Sequence, residues 1–237
     1  MNVHKGSELI KDASISLRSI NMVKVIPIQG GPYDSNMFLV RGSTESVLID
    51  AGTGLHGPSV IRKIRIDLAG SELAAVVLTH EHIDHSGGAQ GLREEFGSPI
   101  YCSRECAEIL KVGNPAMTGS ILFGIKPESV SDINILEPVL EVDGLRFEVK
   151  DTPGHCRGQV ALIEERTRSL FCGDLVFCDG GVGRWDLPGG DLKKHQDSIR
   201  RSLEWDVSSL HPGHGRSEWS DPLSEMKLAY SMIEGIR

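Results

Sequence analysis

The 237-residue sequence predicts an α/β protein in which two sheets pack together and helices lie on the outside. Three observations support this fold class: strand patterns occur in two runs, helix patterns follow each run, and Pro and Gly are scattered along the chain instead of concentrated in a linker. A chain of this length can bury a substantial core as one domain. We therefore expect a single domain over residues 1–237, and we leave open whether residues 1–20 form a loosely ordered N-terminal extension.

The first run of strands is predicted from apolar and β-branched segments bounded by turn residues. These strands cover residues 22–28, 37–40, 46–50, 73–78 and 100–102. The helices of this half are predicted at residues 58–68, 88–96 and 104–111. The first helix has the clearest pattern, because Val60, Ile64 and Leu68 fall on one apolar stripe.

The second run begins with a hairpin over residues 139–145, in which Asp143-Gly144 supplies the turn. Further strands are predicted at residues 145–149, 160–164, 169–172 and 207–210, and helices at 191–205 and 223–233. Residues 112–132 and 177–190 lack a clean period, and we interpret both as segments that shape a pocket. A short core helix is the alternative for the first of them. We expect Met117, Leu122 and Phe123 to lie in the core.

The residues T-H-E-H-I-D-H at 79–85 follow an apolar run that we interpret as a buried strand. Imidazole and carboxylate groups are ligands for zinc and for non-haem iron. Alternate side chains of an extended segment share a face, so His80 and His82 can converge on one ion. Asp84 and His85 come after the chain begins to turn, and we expect them to face a second ion. The segment therefore predicts a metal site at the end of a strand.

Three further candidate ligands follow predicted strands elsewhere in the chain. They are His155 in D-T-P-G-H, Asp174 in L-F-C-G-D and His214 in L-H-P-G-H-G. Each comes directly after a glycine, which allows the backbone to turn sharply and to approach an ion closely. One such position alone would be weak evidence, since Asp after Gly is usually a turn residue. Together, these strand-terminal positions predict one shared site.

In this order, the motifs resemble those of the metallo-β-lactamase-fold hydrolase superfamily: Asp50, H-x-H-x-D-H at 80–85, His155, Asp174 and His214. The resemblance runs from about Val23 to His214, and residues 180–190 resemble the small glyoxalase-II-like branch. It implies a four-layer αββα sandwich with two mixed sheets packed together.

The resemblance also implies a role for each matched residue. A first metal would be held by His80, His82 and His155. A second would be held by Asp84, His85 and His214, and Asp174 would bridge the two. Asp50, in L-I-D-A-G, would support the loop that carries the ligands.

The implied activity is that of a binuclear metallohydrolase of the hydroxyacylglutathione-hydrolase type, acting on a small-molecule substrate. We expect two divalent ions, zinc first and iron or manganese as alternatives, which would lower the pKa of bound water from 15.7 towards about 7. The metal-bound hydroxide would cleave a thioester, an ester or a lactone, with a thioester as the leading expectation. Asp84 would serve both as a ligand and as a catalytic proton carrier.

Two other functions stay open on the same residues. One is a mononuclear iron persulfide dioxygenase, in which His80, His155 and Asp174 would hold the metal. The other is a non-catalytic, effector-binding protein that retains the fold. An intact set of candidate ligands favours the hydrolase over both.

Two residues beside the candidate ligands are expected to have supporting roles. Arg184 lies in the Gly-rich segment after Asp174 and could bind an anionic substrate group, since Arg suits bidentate carboxylate recognition. An internal salt bridge is the equal alternative for this side chain. Cys156 stands where relatives often carry Ser or Thr, and it could support His155 from behind.

The amino-acid composition limits the classes of partner and the cellular location that we expect. A net charge of −8 disfavours a nucleic-acid partner, which would require a basic face. No apolar run approaches the length of a membrane span, and the N-terminus has no signal-peptide core. Five cysteines without a disulfide-framework spacing predict a reduced, cytoplasmic protein. The sequence does not predict an oligomeric state.

Overall fold

A computed structural model describes residues 23–237, so residues 1–20, for which an N-terminal extension was left open, lie outside the described part of the chain. Within residues 23–237, two mixed sheets of six and five strands form the centre of the fold. The first sheet has the strand order β1-β2-β3-β4-β5-β6. They are β1 (Lys24–Ile28), β2 (Met37–Arg41), β3 (Glu45–Ile49), β4 (Glu72–Val77), β5 (Ile100–Cys102) and β6 (Ile133–Ile135). The pairs β1–β2 and β2–β3 are antiparallel, and β3 to β6 run parallel.

The second sheet contains five strands in the order β11-β10-β9-β8-β7. They are β7 (Val139–Val142), β8 (Leu145–Asp151), β9 (Val160–Glu164), β10 (Ser169–Gly173) and β11 (Ser209–Pro212). All neighbours are antiparallel except β10 and β11, which are parallel. The predicted hairpin joins β7 to β8, and its turn residues Asp143 and Gly144 both have positive φ, as a primed turn requires.

The helices are α1 (Gly57–Leu68), α2 (Ile83–Ser86), α3 (Ala89–Phe96), α4 (Arg104–Val112), α5 (Ser120–Phe123), α6 (Leu192–Ser202) and α7 (Pro222–Ile233). The longer helices cover the outer faces of the two sheets. The α1, α3 and α4 helices pack on the first sheet, and α6 and α7 pack on the second. Within residues 23–237, none of the helices is long and apolar enough to cross a membrane.

The buried side chains form an interior of three layers, because the central strands alternate between two covered faces. In β3, Val47 and Ile49 point between the sheets, whereas Leu48 points towards the helices. In the second sheet, Leu162 and Phe171 meet them across the interface between the sheets. The four-layer α/β sandwich predicted from the sequence is confirmed.

The strand directions bring the candidate site residues to one edge of the sandwich. The β8, β10 and β11 strands point the same way, since β9 is antiparallel to both β8 and β10 and β11 is parallel to β10. Asp50 and residues 80–85 follow the parallel strands β3 and β4 of the first sheet. The carboxyl ends of these five strands therefore supply every candidate ligand.

The sequence analysis did not predict α2 or β6, and it offered a short helix within residues 112–132 only as an alternative. The four-residue helix α2 begins in the middle of the H-x-H-x-D-H motif, directly after His82, whose backbone is extended. The α5 helix and the three-residue strand β6 lie in or directly after the segment 112–132. Elements this short carry too few residues to display a period.

Candidate metal centre

The loop after β4 presents the residues of the H-x-H-x-D-H motif inward. His80 and His85 are fully buried, and His82 and Asp84 are nearly so. The change from extended backbone at His82 to the α2 helix turns Asp84 and His85 away from the direction of the first two histidines. The motif thus provides two sets of side chains from one short loop.

Asp50 holds this loop in place. Its buried carboxylate accepts hydrogen bonds from the Thr79 backbone N–H at 2.8 Å and from the Thr79 hydroxyl. It also accepts one from His85 Nδ1 at 2.8 Å. Asp50 has a φ of 61°, a left-handed backbone that costs energy for a residue other than glycine. The strained residue thus orients a candidate ligand through a hydrogen bond, as carboxylates commonly do in metal sites.

His155 comes from the turn after β8 and faces the histidines of the first sheet. Its Nδ1 donates to the Arg184 carbonyl oxygen at 2.5 Å, which leaves Nε2 unprotonated and directed at the site. His155 Nε2 lies 2.7 Å from His82 Nδ1. Burial lowers the pKa of both rings, to about 3 for His82, so both are neutral at physiological pH. Neutral imidazole is the form that binds metals.

Asp174 lies between the two sets of side chains. One of its carboxylate oxygens, Oδ1, is 3.2 Å from His85 Nε2. The other, Oδ2, is 3.5 Å from His155 Nε2 and 3.6 Å from His214 Nε2. His214 in turn lies 3.1 Å from Asp84 Oδ2. Asp174 is therefore the residue that contacts both sets.

The possible ligand atoms form three overlapping groups, and within each group they all lie within 4.8 Å of one another. These groups are His80 with His82 and His155, His80 with His85 and Asp174, and Asp84 with His85 and His214. The seven side chains that the sequence predicts as ligands are thus brought together, and the second group overlaps the other two.

Unsatisfied atoms in this cluster show that the residues fit a bound cation. His80 Nε2, His85 Nε2 and Asp174 Oδ1 are buried and make no hydrogen bond. Leaving buried polar atoms unpaired is costly, so a cation that they coordinate would remove the penalty. Burial would lower the pKa of His85, but Asp174, Asp50 and Asp84 raise it well above its ordinary value. The carboxylates thus create a field that favours positive charge at this point.

Glycine is required where the backbone passes closest to the cluster. A Cβ atom at Gly213 would lie 2.3 Å from Asp174 Oδ1 and 2.5 Å from His85 Cε1. Gly173, directly before Asp174, has a φ of 51°, which glycine adopts without strain. Both positions agree with the expectation that glycine permits close approach at the strand ends.

Several neighbours of the site carried no recognised signal in the sequence. Thr79 links Asp50 to the ring of His80, whose Nδ1 is 3.0 Å from the Thr79 hydroxyl. His195, on α6, is buried behind His155 with its ring centroid 6.4 Å away. Cys156, in contrast, was named from the sequence as a support for His155; its thiol lies against the buried carboxylate of Glu81, and burial raises the pKa of that carboxyl. All five cysteines are buried and free.

Arg184 lies at the mouth of the site. Its guanidinium forms a bidentate salt bridge with Asp186, with N–O distances of 2.9 and 2.8 Å, and its side chain is 62% exposed. The internal salt bridge allowed by the sequence is therefore present. The Arg184 backbone has a separate part in the site, because its carbonyl oxygen holds His155.

A cavity of about 310 Å³ opens above the cluster. His82, Asp84, Asp174 and His214 lie at its floor, and residues of both segments without a clean period form its walls. The interpretation of these segments as pocket-shaping is confirmed. The expected core positions are wrong: Leu122 is exposed at the mouth of the cavity, and Met117 and Phe123 are only partly buried.

The sequence model of the metallo-beta-lactamase superfamily matches residues 30–214, a range that begins before Asp50 and ends at His214. The chain belongs to this superfamily. The cluster of histidines and aspartates is accordingly the candidate metal-binding site of a metallo-beta-lactamase-fold protein.

Curated relatives in the superfamily include three that cover most of this chain. The protein named "Probable metallo-hydrolase MJ0888" of Methanocaldococcus jannaschii is 34% identical over 81% of this chain and 92% of its own. Hydroxyacylglutathione hydrolase GloC of Haemophilus influenzae is 34% identical over 76% of this chain and 84% of its own. Acyl-coenzyme A thioesterase MBLAC2 of Gallus gallus is 30% identical over 85% of this chain and 80% of its own.

Among solved structures, TTHA1623 in a di-iron-bound form resembles this chain with a TM-score of 0.70 and 31% identity. The similarity covers 84% of this chain and 96% of that protein. A relative of the same fold thus holds two iron ions.

Proposed function

We propose that this protein is a binuclear metallohydrolase that cleaves thioesters. The observation that carries the proposal is the convergence of the candidate ligand atoms in two groups that both contact Asp174. In the proposed arrangement, His80, His82 and His155 hold one divalent cation, and Asp84, His85 and His214 hold the other. Asp174 would be shared by the two groups, since its carboxylate lies 3.5 Å from His155 Nε2 and 3.2 Å from His85 Nε2.

The choice of metal follows from the donor atoms. Imidazole and carboxylate donors suit zinc, and they suit iron and manganese as well. We propose zinc as the first candidate. The di-iron form of TTHA1623 makes iron the strongest alternative.

Bound cations supply two kinds of chemistry, an acidified water molecule and a polarised carbonyl oxygen. Proton transfer and the orientation of the ligands would depend on the protein's own residues. Asp84 lines the cavity floor, and its carboxylate would accept at Oδ a proton from the water that adds to the carbonyl and pass it to the sulfur of the departing thiolate. Asp50 and the Arg184 carbonyl keep His85 and His155 in the tautomer that presents Nε2.

A thioester is proposed as the substrate for two reasons. A thiolate is a good leaving group and depends little on protonation, so the proton carried by Asp84 would suffice, and no lysine is found among the described residues that line the cavity. In addition, two relatives, hydroxyacylglutathione hydrolase GloC and acyl-coenzyme A thioesterase MBLAC2, are named for substrates in which a thiol carries an acyl group.

The proposal is tested by measuring hydrolysis of a panel of thioesters, esters and lactones with wild-type protein and with His82→Ala. We expect thioester hydrolysis by the wild type and a loss of at least about a hundredfold in His82→Ala, because a catalytic site needs its ligands in fixed geometry. His56→Ala is the matched control, since His56 is a partly exposed histidine paired with Asp34 outside the cluster. Full activity in His82→Ala, or hydrolysis of none of the thioesters, would overturn the proposal.

A further inference from the structure

The cavity over the candidate metal centre is lined by apolar side chains from two segments that lie far apart in the sequence. One is the rim segment, residues 118–124, which contributes Leu122 and Phe123. The other is the second wall, formed by Phe177, Val182 and Leu187. Candidate ligands line the same cavity. A chain bound against these apolar side chains would therefore lie beside the reacting carbonyl.

The rim segment exposes apolar side chains at the cavity mouth, and contact between apolar surface and water is unfavourable. Leu122 is 63% exposed, although it sits in a domain with a large buried core. Tyr33, which is 70% exposed, packs edge-on against Phe123 with ring centroids 6.0 Å apart and extends the same surface. Contiguous exposed apolar groups at a cavity mouth indicate a binding surface, whereas isolated ones do not.

The rim segment is attached to the ligand loop and is built to stay over it. The Ile83 backbone N–H donates to the Thr118 carbonyl oxygen at 2.8 Å. Gly119 and Gly124, which flank the α5 helix, both have a φ of 65°, so the chain can turn sharply before and after Leu122 and Phe123. Gly119 passes close to the His82 ring. The position of the apolar residues relative to the metal ligands is therefore fixed.

The electrostatic character of the walls agrees with an apolar occupant. Apart from the candidate ligands, Arg184 is the one charged side chain among the described residues that line the cavity. Its charge is paired with Asp186 at the mouth. On the second wall, Phe177 packs against the His214 ring with centroids 5.7 Å apart, so apolar surface reaches the ligands themselves.

We infer that the cavity selects thioesters that carry an apolar chain of several carbons beside the scissile bond. This inference rests on the proposed thioesterase function. The chain would contact Leu122 and Phe123 of the rim segment and Phe177 and Leu187 of the second wall. A short polar acyl group would leave these side chains exposed to water and would gain nothing from them.

The test uses two series of thioesters with the metal-loaded wild-type protein. One series lengthens the acyl group from acetyl to octanoyl on a constant thiol, and the other lengthens an alkyl thiol on a constant acetyl group. We expect kcat/KM to rise about threefold for each added methylene in one of the two series. A rise in the acyl series places the apolar chain on the acyl side, and a rise in the thiol series places it on the thiol side; both support the inference.

Two exposed residues of the same short helix provide a matched pair of variants. Leu122→Ser removes apolar surface inside the cavity, and we expect the ratio of kcat/KM for the longest to the shortest substrate to fall about tenfold. Ile121→Ser removes a residue that is 67% exposed but lies outside the cavity lining, and it should keep the wild-type ratio. Calorimetric binding of octanoate, which does not depend on turnover, should weaken in Leu122→Ser only.

Failure of the inference is distinct from failure of the proposed function. Efficient hydrolysis with no dependence on chain length in either series would overturn the inference and leave the thioesterase intact. Equal effects of the two serine variants would also overturn it. Absence of hydrolysis for every thioester would overturn the proposed function, and the inference with it.

Discussion

His85 Nδ1 donates a hydrogen bond of 2.8 Å to Asp50 Oδ2, and this bond determines which nitrogen of His85 faces Asp174. With the proton on Nδ1, the Nε2 lone pair points into the cluster, 3.2 Å from Asp174 Oδ1. Asp50 contacts the candidate centre through this histidine and through Thr79. Its proposed role is thus to position a ligand.

The first prediction concerns Asp50→Asn, which keeps the size of the side chain and removes its charge. We expect metal affinity to fall by about 10- to 100-fold, because partners of metal-bound histidines typically contribute that much. Competition with a chromophoric chelator would measure the change. Asp206→Asn is the control, since the Asp206 side chain is 90% exposed and pairs with Arg168, outside the candidate ligand set. Equal affinities for the two variants would show that Asp50 does not position His85.

The second prediction concerns Gly213→Ala. The added methyl would overlap Asp174 Oδ1 and His85 Cε1, so both side chains must move. We expect a folded protein that has lost at least one bound metal and more than about tenfold in activity, since a displaced ligand disturbs the required geometry. Circular dichroism and metal analysis would be measured together.

Gly91→Ala provides the comparison for that variant. Gly91 lies within α3 and has open space where the methyl would be added. Alanine there should stabilise the protein by about 0.5 to 1 kcal/mol through its helix propensity. If Gly213→Ala retained full metal content and activity, the crowding at the centre would not matter for binding.

Much of the site could be predicted from the sequence, because its residue types are rare and follow recognisable strands. The motif at 80–85, His155, Asp174 and His214 all fall at strand ends, and strand directions then bring them together. Leu122 was placed wrongly, because apolar character alone predicts burial and does not distinguish a core from a cavity mouth. The bond from His155 to the Arg184 carbonyl carried no signal, since any residue supplies a backbone oxygen.

The third prediction concerns Arg184, which the sequence suggested as a contact for an anionic group. Its salt bridge with Asp186 must open before it can bind one. We expect Arg184→Ala to raise KM for an anionic thioester more than it lowers kcat. Asp186→Asn should do the opposite and lower KM, because it releases the guanidinium. An unchanged KM in both variants would remove Arg184 from substrate binding.

The fourth prediction concerns pH and His211, a buried residue outside the candidate ligand set. Burial lowers the pKa of His211 from 6.5 to about 4, so the folded state requires its neutral form. Its contribution to stability is complete above about pH 6.5 and is lost progressively as the pH falls towards 4. The expected loss is of order 2 to 3 kcal/mol between about pH 7.5 and about pH 4.5.

Urea unfolding of the wild type and of His211→Gln at a series of pH values between about 7.5 and about 4.5 would measure the loss in the free energy of unfolding. The variant is destabilised at neutral pH, since His211 bonds to Ser209 and Ser217, but its stability should fall less steeply with acid. The difference between the two curves isolates His211 from the other histidines. Parallel curves would contradict the prediction.

The proposed function requires the chain to hold two metal ions at one edge of its sandwich. Elemental analysis would measure the metal content per chain in protein purified without added metal or chelator. We expect close to two ions per chain, either zinc or a mixture of zinc and iron. One iron per chain without zinc would contradict it and would favour the mononuclear dioxygenase. Failure to bind any metal, even after reloading, would contradict it and would favour a non-catalytic binding protein.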